Sequence, residues 1–166
     1  MGKEIERRFI VKGQNWKKSI NSFEEIKQGY LSTNFDEWIT RIRITNNKKA
    51  LLTLKALIGK LTNYEFEYQI PIEEAESIWK LVSKKIIKRR YIINYLSKEW
   101  VVDCFQGNNH PLIIAEIELA TEQDLIKKPN WCIKEITGIK SLSNASLAQS
   151  PISDWSQEEK QNLHIM

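Results

Sequence analysis

Seven short stretches of this chain set ionisable side chains among alternating apolar ones, most of them two residues apart. Glu4 with Glu6, Glu65 with Glu67 and Glu116 with Glu118 are acid pairs, while Arg41 with Arg43 and Lys88 with Arg90 are basic pairs. Arg8 extends the first acid pair, and Lys55 and Asp103 stand singly in apolar surroundings. Carboxylates are oxygen ligands for hard cations such as Mg²⁺ or Mn²⁺. Arginine grips anionic oxygens as a fork and lysine as a point charge. Together the two sets suit a complex of metal and polyanion.

A spacing of two places side chains on one face of an extended strand. In Lys3-Glu4-Ile5-Glu6-Arg7-Arg8-Phe9 the residues Glu4, Glu6 and Arg8 share a face, opposite Ile5, Arg7 and Phe9. An antiparallel sheet with one core face and one solvated face has the same period. Solvated faces usually mix Thr, Ser, Gln and Lys, whereas Glu and Arg dominate this one. A sheet closed on itself would gather such rows around a common axis. Geometry alone does not force that closure, but it favours a polar-lined barrel with helices over its apolar outer face.

The remaining sequence narrows the chemistry further. Its 166 residues, 42% hydrophobic and 28% charged, fit one globular domain with a sizeable core. A net charge of +4, spread along the chain, fits an anionic ligand without demanding nucleic acid. The six tryptophans are not interleaved with a basic run and read as packing residues. No apolar run reaches the roughly 20 residues of a membrane span, and the start is no signal peptide, so a cytoplasmic protein is expected. Cys104 and Cys132 form no metal-binding pair and read as reduced thiols. His110 and His164 share no motif, and Gly59-Lys60 lacks the glycine of a phosphate loop. Any phosphate site must be built from side chains.

Strands are expected at 3–11, 26–32, 37–46, 49–57, 63–70, 85–95, 98–105, 112–120 and 131–137. An amphipathic helix is expected from Ile72 to Val82, with Ala75, Ile78, Trp79 and Val82 on one face. Thr45-Asn46-Asn47-Lys48 and Gln106–Pro111 read as hairpin turns. Asn144 is a candidate cap for a short helix over 145–149, and Ser156 begins a terminal one.

In this order, Glu4-Ile5-Glu6-Arg7-Arg8, Gln28-Gly29-Tyr30-Leu31, Arg41-Ile42-Arg43, Leu52-Thr53-Leu54-Lys55, Glu65-Phe66-Glu67-Tyr68, Lys88-Arg89-Arg90-Tyr91, Trp100-Val101-Val102-Asp103 and Ala115-Glu116-Ile117-Glu118-Leu119 resemble a CYTH-domain protein of the triphosphate tunnel metalloenzyme superfamily. The resemblance implies an α+β fold: an eight-stranded antiparallel β-barrel, or tunnel, with a charged interior and helices packed outside. It would span residues 3–150, with a helical tail over 151–166 packed on or near it. Glu4, Glu6, Asp103, Glu116 and Glu118 would bind Mg²⁺ or Mn²⁺. Arg8, Arg41, Arg43, Lys55, Lys88 and Arg90 would clamp a triphosphate, beside the further tunnel acids Glu65 and Glu67. Arg8, Lys55, Glu116 and Tyr30 would act at the reaction centre, although Tyr30 serves equally as a packing residue. Lys88 would face outward instead if its strand slipped by one residue.

The implied activity is metal-dependent hydrolysis of inorganic tripolyphosphate, with nucleoside triphosphates as a secondary class. Its alternatives are an adenylyl cyclase or thiamine triphosphatase on the same tunnel, or a non-catalytic sensor of polyphosphate or nucleotide. The expected partner is a small-molecule triphosphate, with neither membrane nor nucleic acid, and the protein a monomer or homodimer. Two positions depart from the family pattern: Arg8 stands where lysine is usual, and Leu142 where relatives often carry an aromatic residue. Arginine stays protonated at working pH, so Arg8 is a clamp and not a proton carrier.

Overall fold

A computed structural model describes residues 2–33, 37–59 and 61–165; Met1, residues 34–36, Lys60 and Met166 lie outside the description. Eight antiparallel strands close into a barrel. They are β1 (Gly2–Val11), β2 (Ile20–Thr33), β3 (Ile39–Thr45), β4 (Lys49–Leu57), β5 (Thr62–Ile70), β6 (Lys84–Tyr95), β7 (Lys98–Phe105) and β8 (Ile113–Glu118). A short β9 (Cys132–Glu135) adds to the outer end of β1. Neighbours run β5-β4-β3-β2-β6-β7-β8-β1, and β1 meets β5 to complete the circle. Closure leaves both faces of the sheet with a defined inside and outside, so the period-two pattern becomes an inner and an outer wall.

β1 completes the ring by changing partners. Glu6–Ile10 pairs with β8 along one edge. On the other edge, Gly2–Ile5 pairs with β5 and Phe9–Val11 with β9. Between those partners the edge is bonded by loop residues instead of a strand: Glu6 N–H donates to the Leu61 carbonyl at 3.2 Å, Arg8 N–H to Thr137 Oγ1 at 3.0 Å, and the Arg8 carbonyl accepts from Ile136 N–H at 2.8 Å. The wall therefore has a lateral seam beside Glu6–Arg8.

Three apolar clusters hold the barrel. The outward Ile5, Phe9, Trp100, Val102, Ala115 and Ile117 pack with Trp16 and Cys132. Phe9 and Trp100 stand 5.7 Å apart, and Trp100 meets Trp131 edge-on at 5.9 Å. Over β2–β4 lies α1 (Ile72–Leu81), whose Ala75 and Trp79 cover Ile42, Ile44 and Ala50. It sits so close that a Cβ on Gly29 would come within 2.7 Å of Val82 Cγ2, so glycine is required there. The third cluster fills one end of the barrel. Inward Ile10, Tyr30, Ile86, Phe105 and Ile114 meet Leu142, Leu147, Ile152 and Ile165 from the C-terminal segment.

That end plug refines the expected architecture. α1 packs outside as expected, but α2 (Asn144–Gln149) and the residues after it close an end of the barrel instead of covering its side. Ser143, not Asn144, caps α2, accepting from Ser146 N–H at 3.1 Å. α3 (Gln157–Asn162) opens with a capping box between Ser156 and Glu159. β2 begins at Ile20, well before the expected 26, because its early residues pair with the long β6, as in Phe23 opposite Tyr91. The other strands fall within two residues of expectation. Asn46 and Asn47 both take positive φ in the three-residue turn between the paired Thr45 and Lys49. Both cysteines are free, and among the described residues no helix is long and apolar enough to cross a membrane.

Candidate active site in the tunnel

The expected inner row is the inner wall. Register puts Glu6 opposite Glu118 and Arg8 opposite Glu116. Arg90 stands opposite Asp103 and Lys55 opposite Glu65. Lys88 faces inward and is fully buried, while Arg89 faces out and pairs with Glu25 at 2.5 Å, so β6 carries no register slip.

Next to the plug lies a tightly paired layer. Lys88 Nζ is 2.5 Å from Asp103 Oδ2, and Arg90 forks both Asp103 oxygens at 2.8 Å. Arg90 also reaches Glu116 at 3.5 Å, whose other oxygen accepts from Arg8 Nε at 3.0 Å. Burial opposes the charge on Asp103, but Arg90 and Lys88 override it and hold the carboxylate well below its ordinary range. Burial also pushes the Lys88 ammonium down, against the pull of Asp103. Asp103 is therefore an expected metal ligand with both oxygens already engaged. Tyr30 belongs to the plug; its hydroxyl accepts from Gln28 Nε2 at 2.9 Å and its side chain also bonds the Arg41 guanidinium opposite it.

The layer towards the open end is differently balanced. Lys55 Nζ lies 2.8 Å from Glu4 and 3.2 Å from Glu65, and Arg41 lies 3.3 Å from Glu65 and 3.8 Å from Glu67. Burial works against the charge on Glu65, yet Arg41 and Lys55 bring it down to about 2. Glu6 has no hydrogen bond or ion pair among the described residues. Burial and then repulsion from Glu116 push it up to about 7, with Lys55 in opposition. Arg43 is its cationic counterpart: among the described residues its bond is to neutral Gln28 at 2.9 Å, and burial with repulsion from Arg41 and Arg90 brings it down to about 10. The buried Arg8 Nη2 and Arg41 Nε also lack hydrogen-bond partners. One carboxylate and several guanidinium groups are thus left for outside ligands.

Among the described residues, no three acidic, histidine or cysteine side chains converge closely enough to hold a cation in this arrangement. The donor set still fits a hard divalent ion. Glu6 is an unpartnered carboxylate strained by burial and by a like charge, and the exposed Glu118 stands directly across the ladder from it. A cation there would relieve both penalties on Glu6.

The two departures noted in the sequence meet in space. Arg8 Nη1 donates to the Leu142 carbonyl at 2.9 Å, so the longer arginine ties the tunnel wall to the plug. Asn63 is a buried inward residue that sequence reasoning missed. A lone neutral side chain between Thr62 and Tyr64 carries no charge pattern to reveal it.

Comparison with known proteins agrees with this geometry. A protein-family model described as the CYTH domain matches residues 2–150. An inorganic triphosphatase of Acetivibrio thermocellus is 38% identical over 157 residues, covering 93% of this chain and 99% of that protein. An inorganic triphosphatase of Nitrosomonas europaea is 30% identical over 151 residues, covering 89% and 97%. The crystal structure of the inorganic triphosphatase NE1496 superposes with a TM-score of 0.63 at 29% identity, covering 88% of this chain and 97% of the other. Sequence, fold and inner wall agree: the chain belongs to the CYTH domain family, whose tunnel chemistry implies a divalent cation.

Proposed function

We propose that this protein is a divalent-metal-dependent triphosphatase acting on inorganic tripolyphosphate, with nucleoside triphosphates as a secondary class. The observation that carries the reading is a closed tunnel in which, among the described residues, Glu6 makes no ion pair and Arg43 binds no carboxylate. The names of two curated relatives, both inorganic triphosphatases, support the same substrate. Glu4, Glu6, Glu116 and Glu118 would hold the metal, and oxygen-only ligands favour Mg²⁺ or Mn²⁺. When bound, the ion supplies charge neutralisation at phosphoryl oxygens and acidifies a water. Asp103, expected among the ligands, would join them only by loosening its hold on Arg90 and Lys88.

The chain's own residues bind and orient the substrate. Arg43, Arg41 and Arg8 offer forks, the last two with unpartnered nitrogens, and Lys55 a point charge. Phosphate oxygens would take over Lys55 and Arg8, freeing the carboxylates Glu4 and Glu116, which would then be available to hold the cation. A water oxygen would then bond to the terminal phosphorus as the bridging P–O bond breaks, its electron pair leaving on pyrophosphate and the water's proton passing to solvent, to give orthophosphate and pyrophosphate. Arginines already in place stabilise the equatorial oxygens without reorganisation. Lys88 and Arg90 act from behind, fixing Asp103 and Glu116. A small-molecule substrate and a cytoplasmic setting complete the reading.

Phosphate release from tripolyphosphate, measured with Mg²⁺, with Mn²⁺ and with a chelator, tests it. Turnover should vanish in chelator and return with either ion. Full turnover in chelator, or none with any metal, would overturn the proposal.

A further inference from the structure

A cavity of about 320 Å³ opens through the lateral seam, between the β4–β5 hairpin and the turn after β9. Glu6, Arg8 and Lys55 form its inner end, so it is continuous with the proposed phosphate clamps. Its outer walls are different in kind. Ile39, Leu57, Leu61 and Ile139 line them beside Lys140, and Leu57 is about half exposed. An inorganic phosphate chain has no use for such a wall, because its oxygens would lose water without gaining partners. Apolar walls with a few polar groups at one end are the composition of a site for an organic molecule, and the volume lies within the roughly 300–1,000 Å³ of such sites.

A polar group is present for recognition. Asn63 lines the cavity and is only 8% exposed. It stands opposite Glu4 on β1 and Leu57 on β4. Its carboxamide makes no hydrogen bond with any described residue. The hydroxyls nearby are already used: Thr137 Oγ1 accepts from Arg8 N–H and donates to Glu135, and Ser143 Oγ is bonded to Ser146. A carboxamide offers both donors and an acceptor, which suits the mixed edge of a heterocyclic base and not a phosphate.

We propose that this lateral cavity is the subsite for the non-phosphate end of an organic triphosphate, with Asn63 as its specificity-determining contact. The inference rests on the triphosphatase reading and extends it. The phosphate chain would lie along Arg8 and Lys55, its terminal phosphoryl towards Glu6 and Glu118, and its esterified end between Leu57 and Leu61. Inorganic tripolyphosphate would leave the subsite unfilled, so the two substrate classes should depend differently on its walls.

The test compares ATP with tripolyphosphate in the metal-loaded protein and its Asn63→Ala and Leu57→Ala variants. Asn63→Ala should raise KM for ATP about tenfold, since an organic group bonded by the amide loses its partner. Leu57→Ala should raise it about threefold, and both should leave KM for tripolyphosphate within about twofold. Calorimetric binding of ATP should weaken in parallel, and unchanged melting temperatures should show that both variants fold. Equal shifts for the two substrates, or none, would overturn the subsite. So would a native protein that hydrolyses tripolyphosphate but neither binds nor hydrolyses ATP. Failure to hydrolyse tripolyphosphate at all would instead overturn the triphosphatase reading itself.

Discussion

The tunnel holds two layers of charge that look alike in sequence and differ in structure. Beside the plug, Lys88, Asp103, Arg90, Glu116 and Arg8 form a chain of short contacts, and Lys88 and Asp103 are both wholly buried. Towards the open end, Glu6 and Arg43 make no ion pair among the described residues and Glu118 is exposed. A buried ion pair seldom adds net stability over apolar packing, but breaking one strands a charge and costs dearly. The inner layer is thus committed to the fold, while the outer layer keeps its charges available. Residues of one type on one face can divide labour by depth.

The largest expected effect breaks the inner layer. Asp103→Ala would leave Lys88 and Arg90 buried without their counter-ion, costing about 3–5 kcal/mol, measured by denaturant unfolding. A loss below about 1 kcal/mol would show that water or rearrangement reaches this layer and that the division by depth is wrong. Next, Glu118→Gln should change stability little, since the side chain is exposed and unpaired, yet lower phosphate release by about a hundredfold. Glu122→Gln is the control, because Glu122 lies beyond the strand and accepts a hydrogen bond from Thr62. Equal small losses at both positions would remove Glu118 from the site.

A smaller effect concerns pH. Glu6 is raised from 4.5 to about 7 in the fold. Between those values the unfolded chain has released a proton that the folded one keeps, so this residue makes stability fall as pH rises through that window. Below about 4.5 the penalty is absent, and above about 7 it is fully present. Glu6→Gln should therefore melt higher than the native protein at pH 8 and match it more closely at pH 5. An unchanged difference across that range would mean that Glu6 ionises normally. The smallest effect is at the seam between layers. Arg8→Lys gives up the bond to the Leu142 carbonyl, for about 1 kcal/mol, and should keep turnover within about threefold while altering affinity by calorimetry. A tenfold gain in rate would show that a titrating lysine matters there.

The inner wall was legible because its spacing repeats. Lys55, Glu65 and Glu116 sit between apolar neighbours, and Glu4, Arg41 and Lys88 keep the same period of two, so closure turns every one inward. What could not be read depends on contacts without a pattern. The first residues of β2 have no sharp alternation and are strand because β6 extends alongside them. The split between paired and unpaired charges depends on depth, which only the plug defines, and the plug comes from residues such as Leu147, Ile152 and Ile165, far along the chain. The cap at Ser143 was misjudged by one position because Asn144 is an equally good cap type. Asn63 gave no sign at all, since its importance lies in the partners it lacks.

The change of partners along β1 also bears on how the chain is made. Of the barrel strands β1 is made before the rest, yet two of its partners, β8 and β9, lie at residues 113–118 and 132–135, more than a hundred positions later. β5 can pair Gly2–Ile5 earlier, but until β8 arrives the other edge of β1 beside Glu6 and Arg8 stays open and the ring cannot close. Such distant pairings delay folding, because loop closure must precede any reward from contact. A nascent chain halted before β8 should therefore expose its β1 edge to proteases and to other chains, and protection should arrive abruptly once the last strands emerge.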